Sequence, residues 1–137
     1  MKTYLDSSSF AKRFVEEDGS DHVERTCAQA SQLGISVICV PEVISALNRR
    51  KREKTLTAAQ YGKAKQRVLD DVRDAIIVNL TASVIGSAIR ILETSSVRAM
   101  DALHIACALE WGADLFASSD DRQLMAAKRA GLKTQRI

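Results

Sequence analysis

The feature that most constrains the fold of this chain is the alternation of short apolar runs with segments of helical periodicity. Strands are predicted at residues 2–5, 35–40, 75–80 and 114–119, with a short edge strand at 134–137. The run 35–40 is rich in β-branched residues, as buried strands are. Because helical segments separate the strands, we expect parallel strands with helices on both faces. This predicts an α/β fold, a three-layer α/β/α sandwich around a central, mainly parallel sheet of four to five strands.

Helical patterns fill the segments between these strands. Phe10 and Phe14 lie four residues apart, which places them on one face of a helix over residues 7–17. A second helix is predicted to end at Gly34 and a third to begin at Pro41, since glycine favours helix C-termini and proline the first helical position. Further helices are predicted over residues 57–72, 81–94, 97–112 and 120–132, with Thr57 and Thr81 as N-terminal caps.

Composition limits the class of protein. At 137 residues, with 46% hydrophobic and 27% charged residues, the chain is expected to form a single domain over residues 1–137. No apolar run approaches the roughly 20 residues of a membrane helix and the N-terminus resembles no signal peptide, so a cytoplasmic protein is predicted. Cys27, Cys39 and Cys107 are far apart among apolar neighbours, which predicts buried free thiols. The net charge of +3 is only a weak preference for anionic partners.

Acidic residues follow three of the predicted strands. Asp6 follows the first strand, Glu42 the second and Asp120 the fourth. Sites in open α/β sheets form beyond the carboxyl ends of the strands, so these acids are expected to meet there. Taken alone, Asp6 also fits a helix cap and Glu42 a first-turn acid that answers the helix dipole. Asp101 is a fourth candidate, because its helix is apolar on nearly every face and an acid buried there requires a partner.

Four carboxylates in one pocket would repel one another. Each ionised pair at about 4 Å costs on the order of 4 kcal/mol at an effective dielectric constant near 20. Protonation of one or two carboxylates would relieve this repulsion, and a divalent cation would relieve it better. Carboxylate oxygens suit Mg²⁺ or Mn²⁺ rather than zinc, and phosphodiesters are common substrates at such metals. The pattern favours metal-dependent chemistry on a phosphodiester.

The chain contains, in order, the segments YLDSSSF, PEVISAL, MDALHIA and FASSDDRQLMAAKRAGL. Together they resemble the PIN-domain nucleases, in particular the VapC-type toxins of type II toxin–antitoxin modules, over essentially the whole chain. The resemblance implies a PIN-like fold and a Mg²⁺-dependent endoribonuclease that hydrolyses RNA phosphodiester bonds, with Mn²⁺ as a substitute. It also implies a homodimer and a cognate VapB-type antitoxin that blocks the pocket.

The same resemblance assigns site residues. The catalytic and metal-binding set that it implies is Asp6, Glu42, Asp101 and Asp120. It places Asp120, rather than the adjacent Asp121, in the family pattern, because Arg122 and Gln123 follow at the expected positions. Ser118 matches a small hydroxyl residue that orients this acid. Ser7 is expected to be a cap or a hydrogen-bond partner of a site water or phosphate.

Two further features have both a functional and a structural interpretation. The basic run over residues 48–54 includes Arg49 and Arg50, which would bind RNA phosphates or lie on a solvated helix end. His104 lies one turn after Asp101, and we expect a packed or hydrogen-bonded structural histidine there rather than a metal ligand.

Two alternative functions stay open from the sequence. One is a phosphoryl-transfer domain with Asp6 as the nucleophile, although Ser8 stands where phosphatases carry a second acid. The other is a catalytically silent RNA-binding PIN module, which the four intact acids do not favour.

Overall fold

The computed structural model describes all 137 residues and contains five strands and seven helices. The strands are β1 (Lys2–Leu5), β2 (Gln32–Ser36), β3 (Ile76–Val78), β4 (Leu115–Ser118) and β5 (Thr134–Arg136). The helices are α1 (Ser7–Ala11), α2 (Ser20–Gln29), α3 (Cys39–Arg52), α4 (Ala58–Asp74), α5 (Ala82–Thr94), α6 (Ala99–Trp111) and α7 (Asp121–Arg129). None of the helices combines the length and the apolar character that crossing a membrane requires.

The five strands form one sheet in the order β3-β2-β1-β4-β5, and every neighbouring pair is parallel. The predicted parallel sheet is therefore confirmed, with five strands. From β1 the chain builds outward through β2 and β3 on one side, and through β4 and β5 on the other. The strand order consequently reverses between β1 and β4, and the carboxyl ends of these two strands border the crevice where α/β sheets bind ligands.

Alternate residues of the central strands point to opposite faces of the sheet and supply two separate cores. Tyr4 and Phe116 belong to a cluster with residues of α5, α6 and α7, and their rings are stacked with centroids 5.6 Å apart. Leu5 and Ala117, the next residues of the same strands, belong to a cluster with residues of α1 to α4. This alternation follows from the two-residue period of a strand. It gives the three-layer α/β/α arrangement that the sequence predicts.

The region from α2 to α3 differs from the prediction. Gly34 lies inside β2 and not at a helix end, because α2 already ends at Gln29. The ring of Trp111 packs against Gly34 so closely that no side chain would fit there. The strand ends at Ser36, a turn follows at Val37 and Ile38, and the last two residues of the predicted strand, Cys39 and Val40, begin α3. A short apolar run fits a buried helix turn as well as a strand, which explains the error.

The starts and ends of other helices test the cap predictions. Thr57 and Thr81 are confirmed as N-caps, and each accepts a backbone hydrogen bond from the first turn of its helix. Pro41 is the third residue of α3 rather than the first, where its missing N–H is still among those without a helical partner. The predicted helix over 7–17 is short and ends at Ala11.

The three cysteines are free, as predicted. Cys39 and Cys107 are buried, whereas Cys27 is half-buried. Burial raises the pKa of the Cys39 thiol to about 12. These thiols therefore act as small apolar core groups, because a thiolate is the reactive form.

We expect Gly34→Ala to lower the free energy of unfolding, because the added Cβ would lie 2.5 Å from a ring carbon of Trp111. Overpacking of this kind costs about 1–3 kcal/mol. Gly62→Ala in α4 is the matched control, since its Cβ would meet nothing within 4 Å. Alanine should stabilise that helix by roughly 0.5–1 kcal/mol. Urea unfolding measures both changes, and a Gly34→Ala protein as stable as the parent would contradict the packing argument.

Candidate active site

Asp6 is the first residue after β1, and its side chain is only 3% exposed. Its carboxylate accepts hydrogen bonds from the Ser8 hydroxyl, the Ser9 backbone N–H at 2.9 Å and the Ser118 hydroxyl at 2.7 Å. The bond from Ser9 makes Asp6 the N-cap of α1, so the structural interpretation is correct. The bond from Ser118 joins the end of β1 to the end of β4. Asp6 is therefore both a cap and the centre of a polar network.

Ser118 and Gln123 connect Asp6 with the other two aspartates. The Asp120 backbone N–H donates to the Ser118 hydroxyl at 3.0 Å. The side chain of Gln123, which is buried, lies 3.0 Å from that hydroxyl and donates weakly to Asp101 Oδ1 at 3.4 Å. The structure thus places Asp6, Asp101 and Asp120 at one edge of the sheet, but it does not gather all four predicted acids into one pocket. The bridging role of Gln123 depends on contacts between β4, α6 and α7, and the sequence pattern contains no signal for it.

Asp101 and Asp120 line one open cavity of about 430 Å³ together with Arg98 and Arg122. Burial of Asp101 and the nearby charge of Asp120 raise the pKa of the Asp101 carboxyl above its usual value. Arg98 offsets this only partly, since its Nε lies 3.8 Å from Asp101 Oδ2. The neighbouring Asp121 instead faces solvent and pairs with Arg136. Asp120, and not Asp121, therefore lines the cavity.

Glu42 lies in the first turn of α3, and one of its two oxygens is held tightly. Oε1 accepts hydrogen bonds from the Ser7 hydroxyl at 2.6 Å and from His104 Nε2 at 2.7 Å. Partial burial works to raise the pKa of Glu42, but the hydrogen bonds from His104 and Ser7 outweigh it. The pKa therefore lies below its usual value and Glu42 is ionised. No protein group hydrogen-bonds to Oε2.

His104 is 2% exposed and hydrogen-bonded, which confirms the prediction of a structural histidine. Because the ionised carboxylate of Glu42 only accepts, His104 Nε2 carries the hydrogen of the bond between them. The other ring nitrogen, Nδ1, is hydrogen-bonded to the Tyr4 hydroxyl, 2.8 Å away. The contact between His104 and Glu42 was not foreseen, since these residues lie 62 positions apart in the sequence.

The basic run at the end of α3 is partly engaged within the protein. Arg50 donates to Glu17 at 2.5 Å, and Lys51 lies over the ring of Tyr61 at 4.5 Å. Arg49 is exposed and has no side-chain partner. The predicted role of Arg49 and Arg50 in RNA binding stays a prediction, but Arg50 has a protein partner that accounts for its position.

The chemistry of the site fits a hard divalent cation. No group of three or more His, Cys, Asp or Glu side chains converges closely enough to hold a metal by itself. Two carboxylates, those of Asp101 and Asp120, face the same cavity, and their mutual repulsion raises the pKa of Asp101 in addition to burial. Mg²⁺ keeps several waters and is commonly bound through one or two carboxylates and substrate phosphates. The pair is therefore a suitable donor set.

Comparison with known proteins supports this fold assignment. The family model described as the PIN domain matches residues 3–129. No curated protein sequence matches the chain. The sarcin–ricin loop cleaving toxin VapC20 of Mycobacterium tuberculosis is 18% identical with a TM-score of 0.71, and the alignment covers 98% of this chain and 99% of that one.

Two further solved structures share the fold over nearly the full length of both chains. VapBC-1 of nontypeable Haemophilus influenzae is 12% identical with a TM-score of 0.72, covering 99% of this chain and 98% of that one. DNA-bound VapBC of Salmonella typhimurium is 13% identical with a TM-score of 0.71 and the same coverage, 99% and 98%. At such identities the likeness establishes the fold, and the PIN-like fold predicted from the sequence is confirmed.

We expect His104 and Glu42 to be energetically coupled. His104→Leu leaves the Tyr4 hydroxyl and Glu42 Oε1 without this partner, which should lower the free energy of unfolding by about 1–3 kcal/mol. In a double-mutant cycle with Glu42→Gln, measured by urea unfolding, the coupling energy should be about 0.5–3 kcal/mol.

A cycle between His104→Leu and Asp121→Asn is the control, because Asp121 is exposed and belongs to a different ion pair. These two changes should be additive within about 0.5 kcal/mol. Equal coupling energies in both cycles would mean that the contact between His104 and Glu42 has no specific energetic role.

Proposed function

This chain belongs to the PIN-domain family, and we propose that it is a Mg²⁺-dependent endoribonuclease that hydrolyses RNA phosphodiester bonds. The observation that carries the proposal is the cavity at the strand-order reversal that Asp101 and Asp120 share, with the buried Asp6 linked to the Asp120 backbone through Ser118. Glu42 extends this acidic edge, because it accepts a hydrogen bond from Ser7, the residue after Asp6. Such a group of acids is a poor site for an anion unless a cation is present.

Asp101 and Asp120 would hold the cation most directly, because they line the open cavity. Glu42 and Asp6 complete the proposed set of four carboxylates around this edge. The oxygens of Asp6 already accept hydrogen bonds from Ser8, Ser9 and Ser118, so Asp6 adds negative charge behind the cavity. When bound, Mg²⁺ supplies Lewis acidity and neutralises developing charge on the phosphodiester, and Mn²⁺ would substitute for it. The Ser118 hydroxyl donates to the Asp6 carboxylate and accepts from the Asp120 backbone N–H, which holds these two residues close together.

Glu42 has a distinct role in this proposal. It is ionised and one oxygen is held by Ser7 and His104, while Oε2 has no protein partner. The free oxygen, Oε2, can accept a hydrogen bond from a water molecule. We therefore assign to Glu42 the role of orienting the attacking water. Ser7 then acts as a positioning residue for Glu42.

No observation favours the alternative functions. As a nucleophile in phosphoryl transfer, Asp6 would need an accessible oxygen, but it is 3% exposed and both oxygens accept hydrogen bonds. A silent RNA-binding module has no use for two acids that face an open cavity, because the carboxylates of Asp101 and Asp120 repel RNA phosphates unless a cation is bound.

We also propose that the protein is the toxin of a toxin–antitoxin pair that acts in the cytoplasm as a homodimer. Support comes from the solved structures of the same fold, which include a Klebsiella pneumoniae toxin–antitoxin complex at 14% identity and a TM-score of 0.69, covering 89% of each chain. A VapB-type antitoxin would bind over the acidic edge and exclude RNA from it.

The decisive experiment is RNA cleavage by the purified protein. With Mg²⁺ or Mn²⁺ we expect cleavage of structured or single-stranded RNA, and EDTA should abolish it. Asp101→Asn and Asp120→Asn should each lower kcat/KM by about 100-fold or more, because each removes a negative charge that binds the cation.

Asp121→Asn is the matched control, since it removes an adjacent acid that pairs with Arg136 outside the cavity. It should keep nearly full activity. Cleavage that persists in EDTA, or that is equally reduced by all three substitutions, would sink the four-carboxylate mechanism.

The homodimer is testable by light scattering of the purified protein. We expect a mass twice that of the 15.0 kDa chain. A mass of one chain across the micromolar range would show that the family's dimeric state does not apply here.

A further inference from the structure

We propose that Arg98 and Arg122 form a phosphate-binding site at the acidic cavity, which holds an RNA phosphate next to the one that is cut. The inference rests on the proposed function, because it names how the substrate of that same site is gripped. Both arginines line the cavity of about 430 Å³ that also contains Asp101 and Asp120. Two positively charged arginine side chains and two acidic side chains therefore line the same cavity.

The charge of the substrate explains why cations are required here. Each nucleotide of RNA adds a negative phosphate, and the carboxylates at this edge repel it. A metal held by Asp101 and Asp120 would neutralise charge at the scissile group, whereas the neighbouring phosphates need another partner. Arginine suits this role, because its planar guanidinium donates two parallel hydrogen bonds to phosphate oxygens.

The backbone positions of the two arginines are fixed, while neither guanidinium makes a hydrogen bond within the protein. Arg98 is the N-cap residue of α6, three residues before Asp101, and its side chain is 88% exposed. Its ion pair with Asp101, at 3.8 Å, is longer than a hydrogen bond. The Arg122 backbone N–H donates to Asp120 Oδ1 at 2.9 Å, whereas its exposed guanidinium has no partner in the protein.

The basic run of α3 is a weaker candidate for the same role. Arg50 is paired with Glu17, and Lys51 stacks on Tyr61. Arg50 also lies eight residues beyond Glu42, which is roughly 12 Å along the helix. Each of the cavity arginines, by contrast, lies within three residues of an acid of the site. The basic run is the more conspicuous feature of the sequence, but in the fold it is Arg98 and Arg122 that lie beside the acids of the cavity.

The test is the salt dependence of RNA binding. A fluorescein-labelled single-stranded RNA is titrated with Glu42→Gln protein at a fixed Mg²⁺ concentration, so that the cation is present while the residue assigned to orient the attacking water is removed. Fluorescence anisotropy gives Kd over a series of salt concentrations, and every arginine variant is measured in this same background. Each phosphate contact to a single strand contributes about 0.7 to the slope of log K against log salt, so Arg98→Ala with Arg122→Ala should lower the slope by about 1.4. We expect Kd to rise by about 10-fold or more at low salt.

The matched control is the double variant Arg49→Ala with Arg52→Ala. It removes the same charge from two exposed arginines of the basic run that have no side-chain partner. The slope of log K against log salt should change by less than half as much for this control as for the Arg98→Ala and Arg122→Ala pair. Arg98→Lys with Arg122→Lys should restore the slope but only part of the affinity, because lysine keeps the charge and loses the bidentate geometry. Thermal unfolding of each variant checks that the fold is intact.

Equal slopes for the two alanine pairs would overturn the proposal, since only net charge would then matter. Failure of the protein with both arginines intact to bind the RNA in Mg²⁺ would overturn it as well. The activity assay separates this inference from the proposed function. If the wild type cuts RNA with Mg²⁺ and the Arg98 and Arg122 variant binds and cuts equally well, only the phosphate site is wrong. If the arginine pair governs binding but no RNA is cut, the site stands and the nuclease activity is wrong.

Discussion

The hydrogen bonds to the buried carboxylate of Asp6 hold together the parts of the structure that form the site. Donors reach it from the start of α1 and from Ser118 at the end of β4. An ionised carboxylate that is removed from water requires such partners, since an unpaired one would be strongly destabilising. The two strands that they join lie on either side of the reversal in strand order. From this point α1 runs to one face of the sheet and α7 to the other.

A second set of hydrogen bonds ties the two helical layers together at the same edge. His104 belongs to α6, which packs in one core cluster, while Glu42 belongs to α3, which packs in the other. Their contact at 2.7 Å crosses between the layers. Helix α6 therefore carries Asp101 to the cavity and, one turn later, holds Glu42 in place. The otherwise apolar helix tolerates these polar residues because each has a partner in a different element.

Much of the fold could be predicted from local patterns. Four of the five strand runs, most of the helical periodicity and the two threonine caps depend on near neighbours in the chain, and these predictions agree with the structure. The strand predicted over 35–40 instead spans Gln32–Ser36. Gly34 was misplaced, because its role depends on Trp111, which is distant in sequence and approaches the strand across the sheet face. The length of α1 was overestimated for a related reason, since the period of Phe10 and Phe14 persists in a buried turn that is no longer helical.

By itself, the sequence determined that acids follow the strands, that the strands are parallel, and hence that Asp6 and Asp120 share one edge of a sheet. These conclusions need only the chain order and the geometry of βα units. Only the tertiary structure decided which polar groups hold those acids and which cations stand beside them. Hydrogen bonds such as those of Ser118, Gln123 and His104 act over about 3 Å between residues far apart in the chain, and no periodicity encodes them. The positions of the four acids could be identified from the sequence pattern, whereas the charges and hydrogen-bond partners around them exist only after folding.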